Sequence, residues 1–377
     1  AFVEPGTWIR PNGVQEQSNW SFDFRNIVFE TPAISYNIAT ADIFAKNIYC
    51  ENMSGQHWGL YYFFIGKDNN FKNCKSFFRD DLHAGSGRVL VTSLLHIETE
   101  IGGSGVVNVN TLNIDDCECL FYTNNSLGLT FKHHNIGEHI FETVNVSNSN
   151  GLINFYADNI NKTTVKNINF YNHRGGCTIE VKLYNLYANK GWFEPMATLT
   201  TGGRNEEIQN FIIENCKING SWSYLGAGIN EINNMIIKDC TVVTPDLTNG
   251  IFRTSALRIR NLKFINHTSK GHYLFVASVN NLFIDGMRSE TDVIDNFIFF
   301  KETEFAPEAN IYINNLKFAN VSQGIYSSFF VFDSGYTVNA KELTNSFSKT
   351  RLGLNFEFEA NVYPVMIGTT AQRPLLN

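Results

Sequence analysis

Charge is scarce in this chain. Only 17% of its 377 residues are Asp, Glu, Lys or Arg. No long Ala/Leu/Glu/Lys run with a 3.6-residue period is present, which sets aside a helical bundle. Long hydrophobic runs are missing too. No stretch of about 20 apolar residues occurs, so no membrane-inserting helix is expected. Basic residues are not in excess: the formal net charge is −7, against the basic stripe that a nucleic-acid partner requires. Cysteine is sparse and odd in number, with seven at Cys50, Cys74, Cys117, Cys119, Cys177, Cys216 and Cys240. Zinc needs paired close spacing. Only Cys117-Glu118-Cys119 comes near it, without a second pair, so no metal and no other cofactor is expected. The thiols read as small core hydrophobes. The opening Ala1-Phe2-Val3-Glu4-Pro5 is not a signal peptide, and the missing initial Met leads us to expect a processed or truncated chain.

Asn and Phe are abundant, and they recur in phase. A seven-residue phrase stands clearest as Asn261-Leu262-Lys263-Phe264-Ile265-Asn266-His267. It returns from Asn210, Asn234 and Asn315, again from Asn47, Thr111, Thr143, Asn167 and Asn281, and in weaker form from Asn26, Asn70 and Asn185. Spacings of roughly 20–27 residues fall in the range of solenoids and other arrays. The second and fourth residues of the phrase are apolar (Leu112 and Ile114, Val144 and Val146, Leu262 and Phe264), with a polar residue often between them. That is the period of a strand with one buried face. The sixth residue is Asn or Asp at Asn52, Asp116, Asn148, Asn172, Asn215, Asp239, Asn266 and Asn320. These side chains tolerate the left-handed backbone and bend the chain. The seventh is small, soft or apolar, including Cys117, Cys216, Cys240 and Met287, which predicts a buried, aligned stack. His173 and His267 take the same position and read as structural members of it. Apolar runs such as 60–64, 152–155, 273–276, 297–300 and 329–332 predict a second strand in each repeat.

One such unit cannot bury its apolar side alone, whereas stacked coils can. The sequence therefore predicts an all-β chain, a right-handed parallel β-helix with an Asn/Asp ladder along one corner. Residues 1–25 are expected to form an irregular N-terminal cap, residues 26–333 the β-helix, and residues 334–377 a C-terminal β segment that makes trimer contacts. Within that segment 354–359 alternates strictly, as a strand with one wet face does.

A parallel β-helix with irregular ends resembles the pectate-lyase superfamily and, within it, phage tailspike and tail-fibre proteins. The closing Gly368-Thr369-Thr370-Ala371-Gln372-Arg373-Pro374 is similar to a phrase found near the ends of those proteins. The resemblance implies an extracellular virion component of the phage tail, a homotrimer joined to other virion tail proteins, that binds a bacterial surface polysaccharide. Many relatives also cut that glycan. Residues 1–25 are too short for the usual N-terminal virion-attachment domain, and the sequence that usually follows the terminal phrase is not among these residues, so a fragment of a longer protein is expected.

Cleavage of a glycan takes either two carboxylates, for hydrolysis, or a base and a charge-neutralising partner beside a uronate, for elimination. The densest local set of titratable groups is Asp80, Asp81, His83 and Arg88, where adjacent carboxylates can raise one another's pKa and Gly85-Ser86-Gly87 admits a sugar to the backbone. The loop is similar to the paired aspartates and glycine-flanked histidine of polygalacturonase-type hydrolases. Here the two are fused in one loop and no Asn-x-Asp precedes them, so no roles are carried over. Carboxylates can also pair between coils, and Glu98, Glu100, Asp115, Glu118, Glu180, Glu194 and Glu214 are candidates. For sugar binding, Trp58, Tyr61, Trp192, Trp222 and Tyr224 offer flat apolar faces, in stretches read as loops. Two other function classes fit the same chain: a non-enzymatic glycan-binding or structural spike, and a secreted bacterial polysaccharide lyase or hydrolase.

Overall fold

The structure is a computed structural model. It describes residues 17–26, 28–30, 43–52, 54–56, 64–77, 95–99, 106–120, 129–133, 138–151, 153–157, 163–175, 177–180, 182–193, 206–219, 222–225, 229–243, 252–254, 258–270, 276–289, 298–300, 308–314, 317–318, 330–332, 337–339, 357–358 and 367–369. Every regular element among them is a β-strand. The chain divides into two compact units, Ala1–Leu183 and Tyr184–Asn377.

In the first unit the strands Gln17–Arg25, Ile43–Glu51, Phe64–Lys72, Val106–Asp115, Glu138–Ser147 and Thr163–Tyr171 pair in parallel, each with the next. The phrase positions fall opposite one another. Ile48, Asn69, Leu112, Val144 and Ile168 form one column across the strands, and Cys50, Phe71, Ile114, Val146 and Phe170 the next but one. All of these side chains are buried. Burying such apolar side chains contributes about 1.5–3 kcal/mol each, so the two columns are the core of the unit. Asn69 is the polar member, and its Nδ2 donates to the Thr111 carbonyl at 3.1 Å. The second unit repeats the plan with Lys182–Asn189, Glu206–Glu214, Ile229–Lys238, Arg258–Ile265, Val276–Asp285 and Glu308–Asn314. Its columns are Leu186, Phe211, Met235, Leu262 and Leu282, and Ala188, Ile213, Ile237, Phe264 and Ile284, all buried.

The bend after each phrase has the expected backbone. Asn26, Asn52, Asn73, Asp116, Asn148, Asn172, Lys190, Asn215, Asp239 and Asn266 take φ between 46 and 56°. Most residues enter that region at a penalty of roughly 1–2 kcal/mol, while Asn and Asp enter it readily. In nine of these bends the N–H donates to a backbone carbonyl of the next coil at 2.8–3.2 Å, as from Asn148 to Tyr171 and from Asn266 to Asp285. Side chains add a second ladder: Asn52 donates to Asn26 at 2.9 Å, Asn73 to Asn52 at 2.7 Å and Asn172 to Asn148 at 2.9 Å. Two more amide ladders run along the first and third phrase positions, with Asn113, Asn145 and Asn169 stacked in the first unit and Asn210, Asn234, Asn261 and Asn281 in the second.

Several expectations need correction. The copies read from Asn26 and Asn70 begin instead at Ser21 and Asp68, because Asn26 and Asn73 are themselves the left-handed bends and Ser21 and Asp68 lie opposite Asn47. The register therefore reaches back into the stretch expected as a cap. The copy read from Asn315 is displaced by five residues: Asn310, Ile311 and Ile313 lie opposite Asn281, Leu282 and Ile284. Both stretches carry the same Asn-apolar-x-apolar pattern, and inter-strand pairing selects the earlier one. The repeat also has three strand positions, not two. A short strand follows nine of the ten described bends directly, as in Lys75–Phe77 beside Glu118–Leu120 and Lys217–Asn219 beside Thr241–Val243, and after Asn148 an isolated bridge at Asn150 takes its place. A third set holds Leu95–Thr99, Leu129–His133, Ile153–Ala157 and Cys177–Glu180. The expected strand at 152–155 belongs to this third set, whereas Phe64 and Val276 open the next long strand. Toward the C-terminus, Glu357–Phe358 pairs with Lys317–Phe318, and Ile367–Thr369, which holds the first two residues of the terminal phrase, pairs with Phe330–Phe332.

The seventh position is a third buried column: Cys74, Cys117, Ser149 and His173 in the first unit, and Cys216, Cys240, His267 and Met287 in the second. The stack expected there is present. Burial pushes His267 down to about 3, with a hydrogen bond to the Cys240 backbone acting the other way.

Two outcomes follow from these contacts. The Asn148 side chain donates to Asp115 Oδ1 and accepts from Asn172, both at 2.9 Å, on a left-handed backbone. In chemical denaturation Asn148→Ala should lose about 2–3 kcal/mol and Asn148→Gly about 1 kcal/mol; equal losses would mean that the backbone conformation is not what Asn supplies. His267 stays neutral when folded, so its contribution is complete above the unfolded value near 6.5 and is lost as pH falls toward 3, on the order of 5 kcal/mol in all. The denaturation midpoint of His267→Met should fall less than that of the parent across this window, and parallel pH profiles would contradict the assignment.

Candidate functional site

Neighbouring coils are in register, so a surface site on this fold is a set of columns. Where the long strands' burial is described, the alternation breaks once, as between Val109 and Leu112 or Val165 and Ile168. Ile208, Ile232 and Ile259 are buried three residues ahead of the next core residue, not two, which leaves two consecutive residues off the core. Flanking this break in the second unit is the densest described polar cluster of that unit. Glu207, Glu231 and Arg258 form one column. Each adjoins one of those buried isoleucines, so its side chain points away from the core. Two residues along each strand come Gln209, Asn233, Arg260 and Asn280.

Contacts join the two columns. Asn233 Nδ2 donates to Gln209 Oε1 at 2.7 Å and also to Glu207 Oε1. Glu231 pairs with Arg258 at 3.7 Å and contacts Arg260 Nε. Arg258 Nε donates to Asn280 Oδ1 at 2.8 Å. Glu231 and Arg258 are largely covered, with side chains 17% and 22% exposed, whereas Glu207 is exposed. The Asn210–Asn234–Asn261–Asn281 ladder borders the cluster. Two carboxylates thus stand on adjacent coils, one held by guanidinium groups and the other by a neutral amide. The sequence reading passed over Glu231 and Arg258 and read Glu207 as a loop residue, whereas it lies in the strand Glu206–Glu214. All three lie three residues before a phrase start, at Asn210, Asn234 and Asn261, so extending the repeat alignment upstream would have put them in one column.

Of the residues singled out from sequence, Trp192 is the one whose side chain is described on the surface. It opens the short strand Trp192–Phe193, not a loop. Phe193 is buried beneath it, while the indole is 36% exposed with Lys217 Nζ 4.9 Å from its centroid. Lys217 is its register partner on the next coil, and Thr241 and Thr268 continue the column. Trp222 and Tyr224 also lie in a strand, Trp222–Leu225, where Trp222 is opposite Phe252 and Tyr224 sits at a slip in register. Asp80, Asp81, His83, Arg88, Trp58 and Tyr61 lie outside the described residues, as do Glu100 and Glu194.

The other candidate carboxylates meet non-carboxylate partners. Asp115 accepts from Ser147 Oγ at 2.6 Å and Asn148 Nδ2 at 2.9 Å. The Ser147 bond above all holds its carboxyl below the usual range. Glu118 pairs with Lys75 at 3.8 Å. Glu214 pairs with Lys238 at 3.8 Å and accepts from the Tyr187 hydroxyl at 3.1 Å. Glu98 and Glu180 are in register with Lys132 and Tyr156. Among the described residues no group of three or more His, Cys, Asp or Glu is placed to hold a metal ion.

The buried column does not supply a nucleophile. Cys50, Cys74, Cys117, Cys216 and Cys240 are buried free thiols. Burial pushes Cys50 up. The Cys117 thiol is raised by its hydrogen bond with Cys74 and by burial; in the Cys216–Cys240 pair their shared hydrogen bond lowers Cys216 and raises Cys240. The rings of His173 and His267 lie 5.3 and 5.8 Å from those of Phe170 and Phe264. All five are buried, so iodoacetamide should leave them unmodified in the native protein and alkylate them once it is unfolded. Mass spectrometry of peptides settles it, and rapid native labelling of Cys216 or Cys240 would refute the packing described.

Comparison of the chain with protein-family models, with curated proteins and with solved structures found no match in any of the three.

Proposed function

We propose that the chain is a phage tailspike-like receptor-binding protein that recognises a bacterial surface polysaccharide and depolymerises it. In this reading the solenoid is a right-handed parallel β-helix with a capped N-terminal end, carried outside the cell on the virion as a homotrimer beside other tail proteins. The observation that carries recognition is Trp192, an exposed indole on a short strand with Lys217 over its ring. A sugar presents an apolar C–H face and a rim of hydroxyls. An aromatic face beside a column of Lys217, Thr241 and Thr268, spaced by about 4.8 Å per coil, suits both. Trp58, Tyr61, Trp222 and Tyr224 extend the same reading, and Asp80, Asp81, His83 and Arg88 are the cleaving groups it takes from sequence.

A non-enzymatic binding spike is the second reading. It is favoured by the state of the described carboxylates. Asp115 is shifted down, opposite to what a general acid at neutral pH needs, and Glu118, Glu142 and Glu214 are engaged in ion pairs.

Capsules and exopolysaccharides from a panel of bacteria separate these readings. Reducing ends without ultraviolet absorbance of unsaturated uronates mean hydrolysis, and both together mean elimination. Retained glycan binding without products means the spike. Sedimentation should give a trimer; an active monomer would point to a secreted bacterial enzyme. Trp192→Ala should weaken binding of the glycan found in this way at least tenfold, about 1.4 kcal/mol, with an unchanged melting temperature because the indole is exposed. Unaltered affinity would remove Trp192 from the site.

A further inference from the structure

We infer that the outer face of the long-strand sheet in the second unit is an interface between copies of this chain. The inference rests on the oligomeric part of the proposed function and gives it a contact beyond residues 334–377. Tyr187, Ile212, Ile236, Lys263, Phe283 and Tyr312 lie opposite one another on successive strands. The column stands between the two core columns. Ile212 is flanked by Phe211 and Ile213, Ile236 by Met235 and Ile237, and Phe283 by Leu282 and Ile284, all buried. Alternation therefore turns this column outward. Its side chains from Tyr187 to Phe283 are half-buried.

The first unit shows what the same phrase position holds as a self-satisfying surface. There Asn70, Asn113, Asn145 and Asn169 bond one another at 2.8–2.9 Å. In the second unit isoleucine, phenylalanine and tyrosine replace those amides. Stacking does not call for the exchange, because apolar side chains gain nothing from facing water where an amide ladder would serve. A contiguous apolar stripe on a sheet face marks a contact surface.

Three features fit a second copy as the occupant. The first is charge. In the columns flanking the stripe, Glu207, Glu231, Glu214 and Asp285 balance Arg258, Arg260 and Lys238 together with Lys263 of the stripe itself. Copies of a chain with a net charge of −7 repel one another, and a face of balanced sign lets them meet without that penalty, with both signs available for pairing. The second is period. Members of the stripe follow one another at about 4.8 Å, and a second copy carries the same spacing, so the side chains of one can seat between those of the other along the whole length. The third is size. Strands of about eight residues across these coils make a face of roughly 25 by 25 Å. Two copies would then cover on the order of 1,200 Å², the lower end of specific, stable interfaces.

The test uses the whole chain. The double variant Ile212→Asn/Ile236→Asn installs the residue that the first unit already carries in this column, so its β-sheet circular dichroism should match the parent. Sedimentation velocity over a concentration series should show self-association weakened at least tenfold. Hydroxyl-radical footprinting reads the same face in the parent protein without any substitution. Labelling of Phe283 should fall at least fivefold between protein dissociated by dilution and assembled protein, while Trp192, on another sheet, keeps its rate. A folded variant that associates as the parent does overturns the assignment and leaves an oligomer held by other residues. Equal labelling of Phe283 in the two states does the same. A variant that keeps the parent's oligomer and loses glycan binding would make the face a glycan surface, which also overturns it. A parent protein that sediments as a monomer throughout brings down the homotrimer reading, and this inference with it.

Discussion

Everything in this structure depends on coil-to-coil register. Parallel pairing brings the same phrase position of successive coils face to face, and a slip of one residue would turn every buried side chain outward. Val144 would give up its place between Leu112 and Ile168, and the polar residues beside it would enter the core. What pins the register is the bend. Its N–H donates across to the next coil, as from Asn148 to Tyr171 and from Asp239 to Ile265, so the turns are paired as well as the strands. Gly286 marks how close the coils come there: a Cβ at that position would lie 2.5 Å from Asn266 Oδ1, on a backbone with φ of 73°.

The abundance of Asn follows from that pairing. An amide carries both a donor and an acceptor, so a column of identical amides satisfies itself, each donating to the one below. Asn169 to Asn145 to Asn113 is such a column, at 2.8–2.9 Å. Ser, Thr and Asp substitute where the neighbour complements them, as Thr111 Oγ1 does by donating to Asp68 Oδ1. Asn69 shows the same logic turned inward. It occupies a core position, fully buried, and its amide finds the Thr111 carbonyl on the next coil.

The strand, the left-handed bend and the buried seventh column were legible in the sequence because each has a local cause: period two, the conformational tolerance of Asn, and the run of small or soft residues after it. Register was less legible. Asn310-Ile311-Tyr312-Ile313 and Asn315-Leu316-Lys317-Phe318 carry the same pattern, and only inter-strand pairing chooses between them. The short strand after each bend was hidden because two or three residues show no period. Trp192 was read as a loop residue for that reason, although its side chain is exposed as expected. The Glu207–Glu231 column was hidden more deeply, since its members lie 24 positions apart and ahead of the phrase that marks the repeat.

Scarce charge is a consequence of the same stacking. In an in-register column a charged residue meets whatever its counterpart carries one coil away, and like charges directly opposite are destabilising. A repeat that copied Glu or Lys faithfully would repel itself along its length, whereas a repeat that copies Asn binds itself. Where charge does occur in the first unit it alternates: Arg25, Glu51, Lys72 and Asp115 follow one another in a single column, with Glu51 3.6 and 3.8 Å from its two cations. Glu207 beside Glu231 breaks that rule. Arg258 and Arg260 on the following coil offset the repulsion at Glu231, while Glu207 accepts from the Asn233 amide. Stacking alone does not call for such an arrangement, since an Asn in place of Glu207 would extend the amide contacts already made by Gln209 and Asn233. The carboxylate of Glu207 sets this column apart from the self-satisfying ladders around it.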